Sequence, residues 1–120
     1  MTDINIKHAK ECSRNGYGKF RLGAAIYDKK GKLISKGYNK RKTHPKFGAG
    51  YYTRLHAEGD ALLKALKSNE DIVGGYCVVY RNKGNLAKPC KCCESMLRES
   101  GISEVYYTYG NKDNLKYMEL

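Results

Sequence analysis

Three of the chain's five cysteines fall in one four-residue stretch, Cys90-Lys91-Cys92-Cys93, directly after Pro89. An odd number of cysteines with adjacent thiols makes a poor disulfide framework and a good metal site. Upstream stands a second short cluster, His56-Ala57-Glu58. Each cluster opens a stretch with helical periodicity, and each follows a long polar connection. Cys90 and Cys93 are related as i and i+3, so one helical turn brings both sulfurs to the same side. The partial positive charge of a helix N-terminus favours their thiolate forms. One imidazole and two thiolates suit zinc, and a set of three protein ligands leaves the fourth tetrahedral position to water.

Glu58 constrains the placement of His56. On a regular helix, residues i and i+2 point to opposite sides, so the two side chains converge only if His56 lies at the very first turn. A closed structural zinc site would recruit a fourth protein ligand. Cys92 is the nearby candidate, but its place beside Cys93 turns it away from the metal. Such a site also gives Glu58 no task.

The rest of the chain supplies the elements that would carry these clusters. Residues 4–14 predict an amphipathic helix that stops near Asn15-Gly16. Residues 21–28 form a compact apolar run, a strand, and Lys29-Lys30-Gly31-Lys32 turns it into a partner strand over 33–38. The connection over 39–54 is long and polar, a length that usually marks function. A helix over 55–68 follows, with Ala57, Ala61, Leu62, Ala65 and Leu66 at three- and four-residue spacing. Residues 75–81 read as a strand. Pro89 starts a helix over 90–99 that packs through Met96 and Leu97 and is capped by Gly101. A strand over 102–109 comes last, and the tail from 110 to 120 fits either a short strand or a helical turn. Alternating strands and helices imply crossover connections and parallel pairs, and the opening hairpin makes the sheet mixed.

At 120 residues and 41% hydrophobic content, the chain predicts a single domain over 1–120 with a real core. Cys12 and Cys77 read as buried small hydrophobes. The first seven residues lack the apolar core of a signal peptide, and the most apolar stretch, Tyr76 to Tyr80, is too short to span a bilayer. The expected location is cytoplasmic, with no membrane partner. The net charge is +11, and its distribution matters more: nine Lys or Arg and no acid from Lys29 to Ala57, four and no acid from Ile72 to Cys93. Such runs serve as a solubilising surface or as an electropositive rim that concentrates phosphate-bearing ligands.

The pairing of His56-Ala57-Glu58 with Pro89-Cys90-Lys91-Cys92-Cys93 resembles the H-x-E and P-C-x-x-C signature of the zinc-dependent cytidine/deoxycytidylate deaminase superfamily. The resemblance extends to Gly23–Asn39 (GAAIYDKKGKLISKGYN), Leu55–Leu66 and Ala87–Tyr107 (AKPCKCCESMLRESGISEVYY). It implies a three-layer α/β/α fold with a mixed central sheet, and Zn2+ held by His56, Cys90 and Cys93. It implies hydrolytic deamination, with water attacking C4 of cytosine while Glu58 moves the protons and ammonia leaves. Substrate contacts are implied at Asn39, His44, Arg54 and Ala57, with Tyr107 or Tyr109 available to stack on a base. A homo-oligomer is also implied.

His56 differs from the Cys-Ala-Glu usual in small cytidine deaminases that act on free nucleosides. Lys88 stands where tRNA adenosine deaminases and riboflavin-pathway deaminases usually carry glutamate. The sequence therefore looks most like a compact, phage-type deoxycytidylate deaminase, and the basic stretches suit a substrate phosphate. The expected substrate is a small pyrimidine nucleotide such as dCMP. Two alternatives stand beside it. Thr108-Tyr109 resembles the loop with which cytosine deaminases of single-stranded DNA or RNA read a neighbouring base, and the charge suits such a strand. A non-catalytic zinc module binding nucleic acid is the third reading, against which Glu58 speaks.

Overall fold

The computed structural model describes residues 6–16, 21–39, 56–81, 91–109 and 114–120. In chain order these form α1 (Lys7–Ser13), β1 (Leu22–Tyr27), β2 (Leu33–Tyr38), α2 (Ala57–Lys67), β3 (Tyr76–Arg81), α3 (Lys91–Glu99), β4 (Glu104–Tyr109) and β5 (Asn114–Glu119). The five strands make one sheet in the order β2-β1-β3-β4-β5.

The predicted hairpin is present. Asp28 accepts the backbone N–H of both Lys30 and Lys32 at 2.9 Å, and Gly31 adopts φ 89°, a turn that only a residue without a side chain enters cheaply. β1 is antiparallel to both β2 and β3, so β2 and β3 run the same way and α2 crosses over β1 to join them. Among the described strands, adjacent parallel pairing is between β3 and β4. The tail settles as a strand, β5, antiparallel to β4.

Both faces of the sheet are covered, which explains why β1 is apolar without alternation. Ala24 and Ile26 pack with α2 and α3 through Ala61, Leu62 and Leu97, whereas Ala25 and Tyr27 pack with Ala9 of α1. Gly23 lets α1 lie directly on β1, because a Cβ there would meet the Ala9 carbonyl and the Ser13 amide. The layers are thus α1, a mixed sheet, then α2 with α3: an α/β fold.

The expected cap at Gly101 is present in detail. Gly101 has φ 95°, its N–H bonds to the Arg98 carbonyl at 3.1 Å, and Ile102 N–H bonds to the Leu97 carbonyl at 3.0 Å. This double bond is a Schellman ending, and Ile102 and Leu97 are both buried behind it.

Three sequence expectations need correction. Leu66 shares the helical spacing of the core residues but is 41% exposed, because it lies on the rim of the α2 apolar stripe. Cys12 is half-buried rather than buried, at the edge of α1. The strand expected over 102–109 is β4 and starts at Glu104, since Ile102 is spent in the helix cap. Among the described residues, no helix is long and apolar enough to cross a membrane.

Candidate active site

His56 is the N-cap of α2, with extended backbone angles (φ −69°, ψ 152°), and its carbonyl accepts the Asp60 N–H at 2.9 Å. That extended residue breaks the helical register. The imidazole can therefore turn toward the same point as Glu58, which sits in the first helical turn. The expected first-turn placement is what the backbone adopts.

Cys93 reaches the same point from the first turn of α3. Its Sγ lies 3.3 Å from His56 Nδ1, and the ligand atoms of His56, Glu58 and Cys93 all lie within 4.8 Å of one another. Zinc–nitrogen and zinc–sulfur bonds at a tetrahedral angle put the two donor atoms about 3.5 Å apart. The observed separation, and the pairing of an imidazole with a thiol, fit zinc. Glu58 is 4% exposed and Cys93 7%, whereas His56 is half-buried, so the cluster opens to solvent on the imidazole side. Both helix N-termini converge here, and their partial positive charge favours thiolate and carboxylate.

Other sequence candidates divide clearly. Cys90, His44 and Arg54 lie outside the described residues. Cys92 is half-buried and does not belong to the metal group among the described residues. Ala57 is 1% exposed, with its methyl in the core beneath α2. Tyr107 is buried in the core, while Tyr109 is 36% exposed at the end of β4 with Lys116 Nζ 4.9 Å from its ring centroid.

Asn39 is 5% exposed, and its Oδ1 accepts the Leu22 N–H at 2.9 Å. Its place relative to α2 follows from β2. Ser35 Oγ donates to the Ala61 carbonyl at 2.7 Å, and a Cβ on Gly37 would fall 2.7 Å from the Ala57 carbonyl. Asn39 is next on that face by the two-residue period of a strand, level with the start of α2 and its His56 and Glu58.

One neighbour was not singled out in the sequence, and a second, Cys77, is buried as expected. Asp60 is 4% exposed; its Oδ2 accepts the Tyr38 N–H at 3.2 Å and pairs with Lys64 Nζ at 3.2 Å. Its i+4 spacing to Lys64 in a first helical turn was the available signal. Cys77 lies fully buried in β3; burial pushes its thiol well up, and the charge of Glu58 adds to the effect.

Residues 1–109 match the family described as the cytidine and deoxycytidylate deaminase zinc-binding region. A cytidine deaminase from Burkholderia pseudomallei is 25% identical and superposes with a TM-score of 0.75, covering 95% of this chain and 88% of its own. The dCMP deaminase of cyanophage S-TIM5 is 28% identical in its apo form, with a TM-score of 0.66 over 85% of this chain and 77% of its own. The same phage enzyme is known in complex with dCMP and dUMP, at 27% identity and a TM-score of 0.66 over 85% of this chain and 76% of its own. No curated protein matches the chain. With the family's zinc-binding region matched over residues 1–109 and the fold shared over most of the chain, the chain belongs to the cytidine and deoxycytidylate deaminase family.

Proposed function

We propose that the chain is a zinc-dependent enzyme that hydrolyses the amino group from a cytosine nucleotide of the dCMP type, releasing ammonia and leaving the uracil form. The observation that carries this reading is the approach of His56 Nδ1 to Cys93 Sγ at 3.3 Å with a buried carboxylate, Glu58, beside them. His56 and Cys93, joined by Cys90, would hold the metal. When bound there, zinc supplies Lewis acidity that makes water a competent nucleophile near neutral pH.

The chain's own residues supply the proton chemistry and the orientation. Glu58 takes one proton from the attacking water and delivers it to N3 of the ring; it then takes the second from the hydroxyl now on C4 and passes it to the amine, so that the C4–N bond breaks, ammonia leaves and the C4 carbonyl forms. Its burial keeps bulk water from competing for those protons. Asn39 orients the sugar or base from the end of β2, with its carboxamide oxygen turned to Leu22. Tyr109 offers a ring at the rim. His44 and Arg54, on the basic connection before α2, are assigned to the phosphate. The chain acts as a single domain in a homo-oligomer in the cytoplasm.

Support for a nucleotide over a nucleoside comes from the acid-free basic stretches and from the likeness to the phage enzyme known with dCMP and dUMP. The test is ammonia release by zinc-loaded protein from cytidine, deoxycytidine, CMP, dCMP and a cytosine-bearing single strand. Turnover of the monophosphates in preference to the nucleosides supports the reading. Turnover of nucleosides alone, or of the strand alone, overturns the substrate assignment.

A further inference from the structure

We propose that Asp60 is a positioning residue that clamps the end of β2 to the start of α2 and thereby sets where Asn39 meets the substrate; this rests on the deaminase reading above. The argument begins at the sheet edge. β2 is an outer strand, and Asn39 N–H points inward, to the Leu22 carbonyl at 3.2 Å. Backbone N–H groups alternate in direction along a strand, so the Tyr38 N–H points outward, where among the described residues no strand stands to accept it. Asp60 Oδ2 accepts it at 3.2 Å. A carboxylate that is 4% exposed thus ties the last residue of β2 to the first turn of α2, the turn that carries Glu58.

The contacts around this tie leave Asn39 little latitude. Its N–H and Oδ1 both engage Leu22, at 3.2 and 2.9 Å. Gly16 lies behind the carboxamide: a Cβ there would collide with Asn39 Oδ1 and stand 3.0 Å from Arg21 Cα. Lys64 closes the outer side, pairing with Asp60 at 3.2 Å and lying 5.5 Å from the Tyr38 ring centroid. Asn39 is thus fixed at the end of β2 by its backbone and its carboxamide oxygen together. Asp60 ties the strand end that carries Asn39 to the helical turn that carries Glu58. The half-exposed Lys64 contributes less, since an ion pair open to water is weak.

The experiment has two readouts on zinc-loaded protein. The first needs no substrate: amide hydrogen exchange at Tyr38 and Asn39, which Asp60→Ala speeds while β3 amides keep their protection. The second is kinetic. Losing a buried charged acceptor raises KM about tenfold while kcat changes less than about threefold. Asp60→Asn keeps an acceptor and restores KM to near the wild-type value. Gly16→Ala raises KM in the same way from the other side, and Asp60→Ala adds nothing further in an Asn39→Ala background. Zinc content and the melting temperature of each variant show that it has folded. Unchanged exchange at Tyr38 and Asn39 overturns the clamp whatever the substrate. Faster exchange with unchanged KM, or a KM effect that is additive with Asn39→Ala, overturns its role in positioning. A wild-type protein that turns over no cytosine compound counts against the functional reading alone and leaves the exchange result to decide the clamp.

Discussion

His56 Nδ1 and Cys93 Sγ lie 3.3 Å apart although 37 positions separate them in the chain. The topology brings them together. β2 and β3 run in the same direction and β3 pairs parallel with β4, so the helices that follow β2 and β3 both start at the same end of the sheet. Their two N-termini meet over that edge. A metal held between them, as proposed, would clip α2 to α3 as well as serve the chemistry.

Such a clip would make stability depend on zinc. A ligand that binds only the folded chain adds about 4 kcal/mol when present at about a thousand times its dissociation constant. Chelation of the wild-type protein is expected to lower its melting temperature, and Cys93→Ala to lower both zinc stoichiometry and melting temperature. In that variant the chelator-induced shift should shrink. A chelator shift as large as that of the wild type, in protein retaining full zinc, would sink the assignment of Cys93 as a ligand.

Glu58 separates binding from chemistry. Glu58→Gln keeps the shape of the side chain and a neutral polar group, so zinc content and fold are expected to stay intact. The loss of a proton carrier should lower kcat by about 10²- to 10⁴-fold. Ammonia release measured on metal-replete variant and wild type decides it. A variant that loses its zinc together with its activity would make Glu58 a ligand rather than an acid–base group.

The approach of His56, Glu58 and Cys93 was legible because each declares itself locally: a cysteine in the first turn of one helix, and a histidine and glutamate at the start of another. The hairpin and the Gly101 cap were legible for the same reason, since turn chemistry is written in adjacent residues. Asp60 was not, because its partner is the backbone of a strand 22 positions away. Leu66 misled because helical spacing gives the direction of a stripe but not its width, and the rim of α2 stays wet. The tail left strand and helix open because β5 owes its form to pairing with β4. Cross-strand partners decide such cases, and periodicity does not see them.

At Gly37 the β2 backbone packs directly against α2. A Cβ there would stand 2.7 Å from the Ala57 carbonyl and 2.9 Å from Ala61 Cα, and would overlap the Ala61 amide. These neighbours are helix backbone and cannot rotate aside. Gly37→Ala is expected to cost about 1–3 kcal/mol by overpacking. Because the displaced turn carries Glu58, turnover should fall more than the fraction of folded protein does. Urea unfolding alongside kcat measures both; a variant as stable and as active as the wild type would contradict the packing described.

The tyrosines on the α1 side of the sheet give the protein an alkaline limit. Tyr27 is buried and stacks on Tyr76, with ring centroids 4.9 Å apart. Burial first, then the neighbouring Tyr76 and Cys77, push its hydroxyl from 10.0 up to about 12. The folded chain thus holds this proton more tightly than the unfolded chain does. Below the ordinary value both states keep it and the full stability is present. As pH rises from 10.0 toward about 12, the unfolded chain loses the proton first, and stability falls through that window. Tyr76 and Tyr106, also raised by burial, act in the same direction. Urea melts at about pH 9, 10 and 11 should show this decline, and Tyr27→Phe should make it shallower. Equal slopes for variant and wild type would show that Tyr27 ionises as freely in the folded protein as in the unfolded chain, and would remove it from the alkaline transition.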